Sequence, residues 1–315
     1  MADIHAPPPP GGGVSGQSPR RSTRREGIAV TAPIVSAHLN RPSPMHAIRL
    51  AFLLLFLSGQ VQANAWSEVS GPSGGSPRAI GETSAGCIDG AATLPTEGRG
   101  YVAMHLERRR NYGHPSLIQA IQDLGEKAAR GIGMLHVGDL GLARGGPMPF
   151  GHRSHQSGLD VDVWFDLNPG LHARADRQRS NVPAPSLLNS AARGLDYGLW
   201  NDRHIRILQA AANLPSVDRI FVNAYIKREL CETVSGDRSW LRKIRPWYHH
   251  DDHFHMRLAC PPDSPACVRQ ETIPVGEGCD SSLDWWLQQH PALPSKSSEP
   301  KPALPSACRG VLAEP

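Results

Sequence analysis

The 315-residue sequence has no apolar run long enough to cross a bilayer. Its strongest candidate, Leu50 to Leu57, is eight residues long, against the roughly 20 that a helical span requires. It contains no Cys-x-x-Cys pair, which argues against a thiolate zinc site or a redox motif. His-Glu-x-x-His is absent too, so the helix-borne glutamate base of many zinc peptidases is missing. The only Ser-x-x-Lys, Ser298 to Lys301, lies in a proline-rich stretch with no Lys-Thr-Gly to accompany it. No internal repeat, nucleotide-binding loop, haem motif or nucleic-acid patch appears.

Residues 1–44 are rich in Pro, Gly, Ser and Arg and are read as a disordered or non-native extension, too poor in apolar residues to form a core. At Met45 the composition changes. Arg49 precedes the apolar run, and Ala63-Asn64-Ala65 supplies a small-x-small cleavage pattern, so residues 45–65 are read as a secretory signal peptide. The mature chain then begins near Trp66. Removing residues 1–65 takes away Arg20, Arg21, Arg24, Arg25, Arg41 and Arg49 together with Asp3 and Glu26, which leaves 27 basic and 27 acidic residues. The basic pI therefore belongs to the discarded segment and gives no argument for a nucleic-acid partner.

All six cysteines, Cys87, Cys231, Cys260, Cys267, Cys279 and Cys308, lie beyond the cleavage site. An even number in an exported chain is read as three disulfides, with 15 possible connectivities. Only Cys260 and Cys267 are close enough in sequence to suggest a local loop. Residues 66–289 are read as one body and residues 290–315 as a proline-rich strap, with Cys308 pinning it back.

Within the body, Pro115 opens a helix whose apolar stripe is Leu117, Ile121, Leu124 and Ala128, with Gly131 as its stop. Further helices are expected near 206–214 and over Asn223–Cys231. "LDVDVWF", "DRIFVN" and "HFHMRL" read as strands. Helices and strands do not alternate regularly, so the expected class is α+β with a central antiparallel sheet and flanking helices.

The histidines cluster. "GHRSHQSGLDVDV" (Gly151 to Val163) carries two His and two Asp, and "WYHHDDHFHMRLAC" (Trp247 to Cys260) carries four more His. At period two, His253 and His255 share one strand face, and Asp160 and Asp162 share a face of another. If those strands are neighbours, His155, Asp162 and His255 can surround one ion. Two imidazoles, a carboxylate and an open position suit Zn²⁺. Such a zinc lowers the pKa of water toward ~7 and polarises a carbonyl, the needs of amide hydrolysis. His250 and His253 remain as candidates for general base or transition-state stabiliser. Each fragment alone has an ordinary explanation as a solvated loop or a half-buried strand. His105, His114, His136, His172, His204, His249 and His290 are read as structural.

The chain resembles the penicillin-insensitive murein endopeptidases, zinc peptidases of the lysostaphin and D-Ala-D-Ala metallopeptidase type. The resemblance rests on H-x(6)-D at His155–Asp162, on H-x-H at His253–His255, and on long stretches such as "VGDLGLARGGPMPFGHRSHQSGLDVDVWF" and "DRSWLRKIRPWYHHDDHFHMRLACP". It implies a periplasmic enzyme cutting the D-alanyl–meso-diaminopimelyl cross-link of peptidoglycan. It implies one zinc held by His155, Asp162 and His255, with His152 beside or on the metal, and His253 as base or oxyanion stabiliser assisted by His250. The implied disulfides are Cys87–Cys308, Cys231–Cys279 and Cys260–Cys267. Some members hold a second metal partly through Asp-x-x-His; here Ala191 to Gly194 offers neither ligand. The rival expectations are a zinc D,D-carboxypeptidase on stem peptides, or a murein- or metal-binding protein without catalysis.

Overall fold

The computed structural model describes residues 65–167, 179–180, 182–288 and 302–314. The expected extension, all of the expected leader but Ala65, His172, His290 and the first part of the expected strap lie outside the described residues.

A short helix, α1 (Ala65–Glu68), precedes an antiparallel hairpin of β1 (Arg78–Glu82) and β2 (Ala85–Asp89). β3 (Ala92–Thr93), β4 (Glu97–Gly98), β5 (Tyr101–Ala103) and β6 (Tyr112–Gly113) follow, with β6 pairing back onto β3. Then come α2 (Pro115–Ala128), β7 (Leu135–Val137), β8 (Asp160–Trp164), α3 (Asp202–Ala212), β9 (Val217–Val222) and α4 (Ala224–Thr233). β10 (Ile244–Pro246), β11 (His253–Leu258), α5 (Ser281–Gln288) and α6 (Ala307–Ala313) complete the described chain. The main sheet has seven strands in the order β10-β9-β11-β8-β7-β5-β4.

The α+β class holds, but the sheet is mixed rather than antiparallel. β10 runs parallel to β9, and β7 parallel to β5. Each parallel pair is joined through a helix, α4 in the first case and α2 in the second. A hairpin cannot return a chain in the same direction, so these crossovers carry it back over the sheet. Alternation within one strand is blind to its neighbour's direction.

The local signals explain the helices. Pro115 occupies the first turn of α2, and His114 caps it by accepting from Ser116 N at 3.2 Å. The stripe of Leu117, Ile121, Leu124 and Ala128 is fully buried. α3 starts four residues before its expected position because Asn201 caps it: the Asn201 side chain accepts from Arg203 N, and His204 Nδ1 accepts from Asn201 N, both at 3.0 Å. A histidine takes the place usually held by Glu or Gln in such a reciprocal cap.

Val161 and Val163 of β8 and Phe254 and Met256 of β11 are fully buried in one core with α2 and α3. Burying each such side chain stabilises by about 1.5–3 kcal/mol. That anchoring fixes which face of both strands remains for polar residues. A smaller cluster joins the two ends of the described chain: Trp66, Ile80, Cys87, Leu142, Cys308 and Val311. There Cys87 is bonded to Cys308, and Arg144 donates to the carbonyls of Val311, Leu312 and Glu314. It thereby satisfies carbonyls that the end of α6 leaves open. The other two disulfides are Cys231–Cys279 and Cys260–Cys267. No helix among the described residues is long and apolar enough to cross a membrane.

Candidate active site

β8 and β11 are antiparallel neighbours, and their register sets His255 opposite Asp162. With the valines, Phe254 and Met256 turned into the core, Asp160, Asp162, His253 and His255 share the other face. The loop before β8 returns His152 and His155 onto that face. His155 adopts a left-handed backbone, φ 68°, a strain of order 1–3 kcal/mol. Two bonds hold it there. Its N–H donates to Asp160 Oδ2 at 2.9 Å, and its Nδ1 lies 2.6 Å from the Leu140 carbonyl.

Four imidazoles now surround the Asp162 carboxylate. Oδ1 lies 3.4 Å from His155 Nε2, 3.5 Å from His255 Nδ1 and 3.6 Å from His253 Nε2, while Oδ2 lies 3.5 Å from His152 Nδ1. The far nitrogens lie close to acceptors. A carbonyl can only accept, so His155 Nδ1 carries a proton, and Nε2 is the atom turned toward Asp162. His255 Nε2 faces Asp160 Oδ1 at 3.2 Å, and His152 Nε2 faces Asp139 Oδ2 at 2.9 Å. These outer partners orient the rings with their inner nitrogens toward Asp162, as the outer partners of metal-ligating histidines do.

The donor set fits a metal ion. His155 Nε2, Asp162 Oδ1 and His255 Nε2 are buried without a hydrogen-bond partner, and leaving such groups bare costs about 1–3 kcal/mol each. Ligand atoms at zinc bond lengths of ~2.0–2.1 Å lie about 3.4 Å apart in a tetrahedron, close to the separations seen here. His152, His155 and Asp162 present ligand atoms within 4.8 Å of one another, and His255 faces the same carboxylate. These four residues could hold one divalent ion.

The charges agree with that reading. Burial opposes ionisation of Asp162, yet His253, His155 and His152 hold its carboxyl well below the usual carboxylate range. Burial opposes protonation of His155, but Asp162 outweighs it and raises the imidazole. Burial pushes His255 down to about 4 against the pull of Asp160. His253 rises to about 9: burial opposes the shift, and Asp162 and Asp252 overcome it. A carboxylate that draws protons onto its neighbours is one that a cation would satisfy.

A family profile described as penicillin-insensitive murein endopeptidase matches residues 79–313. A penicillin-insensitive murein endopeptidase of Yersinia enterocolitica is 39% identical over 261 residues, covering 82% of this chain and 94% of that protein. One of Haemophilus influenzae is 41% identical over 257 residues, with 79% and 88% covered. One of Escherichia coli is 37% identical over 273 residues, with 86% and 99% covered. The chain belongs to the penicillin-insensitive murein endopeptidase family. The stretch that carries the endopeptidase likeness holds all six cysteines and every residue of the histidine–aspartate cluster.

Around this endopeptidase-family cluster stand groups to which the sequence reading gave no role, Asp160, Arg257, Asp139, Arg110 and Arg108, and one to which it did, His250. Asp160 binds Arg257 at 2.6 and 3.3 Å, and Asp139 binds Arg110 at 2.7 Å and Arg108 at 3.1 Å. Asp160 and Arg257 were findable, as period-two mates of Asp162 and His255; Asp139 carries no local signal. His250 does reach the cluster. Its ring is 4.9 Å from that of His253 and 5.8 Å from that of His255, and burial followed by those two neighbours pushes its pKa well down. His249 and His250 are both left-handed, φ 56° and 53°. Asn223 holds them, donating from Nδ2 to the His249 carbonyl and from N to the His250 carbonyl.

The remaining described histidines serve the frame. His114 caps α2 and His204 caps α3, while His105 Nδ1 and His136 Nδ1 meet the carbonyls of Ser180 and Asp166 at 2.9 Å. Gly71 to Gly75 has the G-x-S-x-G spacing of a nucleophile elbow. Its Ser73 hydroxyl instead donates to Asp89 at 2.6 Å and accepts from Gly90 N at 2.9 Å.

Proposed function

We propose that this member of the family, a peptidoglycan hydrolase, is a zinc-dependent D,D-endopeptidase cutting the D-alanyl–meso-diaminopimelyl cross-link in the periplasm. One observation carries the reading: His155 Nε2 and His255 Nδ1 converge on Asp162 Oδ1 at 3.4 and 3.5 Å, with His155 held through Nδ1 on the Leu140 carbonyl and His255 Nε2 3.2 Å from Asp160 Oδ1. The three disulfides and the location of murein support a compartment outside the cytoplasm.

In this reading His155, Asp162 and His255 hold the zinc, with His152 beside or on it. Zinc at such a site supplies a water of lowered pKa and polarises the scissile carbonyl. The chain's own groups do the rest. His253 is oriented by Asp252, whose Oδ1 lies 2.5 Å from Nδ1, and its Nε2 faces the cluster. With the charge of Asp162 taken up by a cation, the pull that raises His253 weakens, and the imidazole would take a proton from the attacking water and return it to the departing amine. His250, fixed through Nδ1 on the Tyr248 carbonyl at 2.6 Å, gives the same wall a second imidazole to assist at the developing oxyanion. Neither a serine nor a thiolate takes part, and all six cysteines are bonded, so no acyl-enzyme forms for penicillin to trap.

The test is digestion of purified murein sacculi by the chain from Trp66, with and without chelator, and chromatography of the muropeptides. Cross-linked dimers should become monomers, an activity lost with chelator and restored by zinc. Intact dimers beside trimmed pentapeptide would make the chain a carboxypeptidase. Unchanged muropeptides with a loaded metal would make it a binding protein.

A further inference from the structure

A line of aromatic rings runs outward from the histidine cluster. Phe221 of β9 stands edge-on to His255, with ring centres 5.3 Å apart, and 5.6 Å from Trp247. Trp247 is 5.5 Å from Trp286, Tyr248 is 4.9 Å from Trp286, and Trp285 is 5.1 Å from Trp286. Three of the chain's seven tryptophans therefore gather beside one site.

The fold builds this group deliberately. Helix α5 carries Trp285 and Trp286 and buries only Leu283. It starts two residues after Cys279, whose disulfide to Cys231 pins it to α4. Tyr248 leads straight into the site, since its carbonyl accepts from His250. Trp247, Tyr248, Trp285 and Trp286 all remain partly exposed, and none belongs to the hydrophobic core. Aromatic surface left partly in water is costly in proportion to its apolar area. Its position, continuous with the reaction centre, indicates a ligand that covers it.

We propose that Trp247, Tyr248, Trp285 and Trp286 form a stacking platform for the glycan strand of murein. The inference rests on the reading of murein as substrate. The rings meet at 43°, 63° and 86° around Trp286 and so form a faceted surface; tryptophan and tyrosine each combine a flat apolar face with one polar handle, an indole N–H or a phenol O–H. That matches a pyranose, whose axial C–H groups make an apolar face edged by hydroxyls. The stem peptides bear free carboxylates, which an uncharged aromatic face does not recognise. The platform holds the strand while the stem peptide it carries reaches the neighbouring zinc site.

The test uses the mature, zinc-loaded chain, with soluble peptide-free murein glycan strands as the binding probe. Intrinsic tryptophan fluorescence follows binding. Kinetics on sacculi are compared with kinetics on a sugar-free cross-linked peptide dimer. Glycan strands should change the emission saturably, and Trp286→Ala or Trp285→Ala should weaken binding about tenfold, as buried tryptophan anchors do. The ratio of KM on sacculi to KM on the dimer should rise by about the same factor. Trp285→Ala carries the test if Trp286→Ala fails to fold, and Trp285→Phe should restore part of the affinity. No glycan binding by the unmodified chain, or an unchanged KM ratio, overturns the platform. Glycan binding without cleavage of either substrate would sink the endopeptidase reading and leave the platform standing.

Discussion

His255 and Asp162 are cross-strand partners in the β8–β11 ladder, with His255 Nδ1 3.5 Å from Asp162 Oδ1. Opposed residues of an antiparallel ladder keep Cβ atoms about 4.5–5.5 Å apart, so the sheet itself sets this separation. Replacing either residue, or His155, by Ala removes a donor without disturbing the buried valines, Phe254 or Met256. The expected result is loss of both bound zinc and turnover with a near-unchanged unfolding temperature, measured by metal analysis and muropeptide release. Full zinc content in all three variants would refute the ligand set.

His253 should behave differently. It faces Asp162 at 3.6 Å but is tied through its other nitrogen to Asp252. His253→Ala should keep the zinc and lose roughly 10²–10⁴-fold in kcat, the usual contribution of a positioned acid–base group. Loss of zinc from this variant would make His253 a ligand.

Asp139 gathers Arg110, Arg108 and His152 on one buried oxygen. Its carboxyl lies well below the usual range: burial opposes this, while the bond to His152 and the charge of Arg110 impose it. Asp139→Asn should lower zinc affinity or activity by about 10–100-fold, the usual effect of losing a group that orients a ligand. Competition with a chelator separates affinity from turnover, and an unchanged affinity and rate would show that His152 needs no such support.

A pH effect outside the histidine–aspartate cluster follows from Asp89. Burial would raise its pKa, but the Ser73 hydroxyl and Arg78, each at 2.6 Å, lower it. Because the folded value lies below the unfolded one, near ~3.9, the stabilisation is present above about pH 4 and disappears as pH falls through the folded pKa. Asp89→Asn should therefore cost about 1–2 kcal/mol near neutrality, and the gap should close in acid. Denaturant unfolding from about pH 7 to 3 measures it; a constant gap would count against the charge as its source.

Much of this was legible in the sequence because the signals are local. Pro115 with the Leu117, Ile121, Leu124 and Ala128 stripe specifies a helix wherever it sits. The alternation in "LDVDVWF" and "HFHMRL" specifies which side chains share a face. His155 to Asp162 and His253 to His255 were therefore visible as two half-sites. The parallel pairs β10–β9 and β7–β5 were not, because strand direction depends on crossovers many residues away.

The sequence by itself determined the residue types, the start of α2 at Pro115 and the shared strand faces of Asp160 with Asp162 and of His253 with His255, since these depend on neighbours a few positions along the chain. Only the tertiary structure decided that β8 and β11 pair in a register placing His255 against Asp162, and that Leu140 and Asp160 select the ring nitrogens turned inward. It also brought Asp139 to His152 and the tryptophans of α5 to the edge of the cluster. Those contacts join residues far apart in the chain, and burial of the core between the sheet and its helices is the force that assembles them.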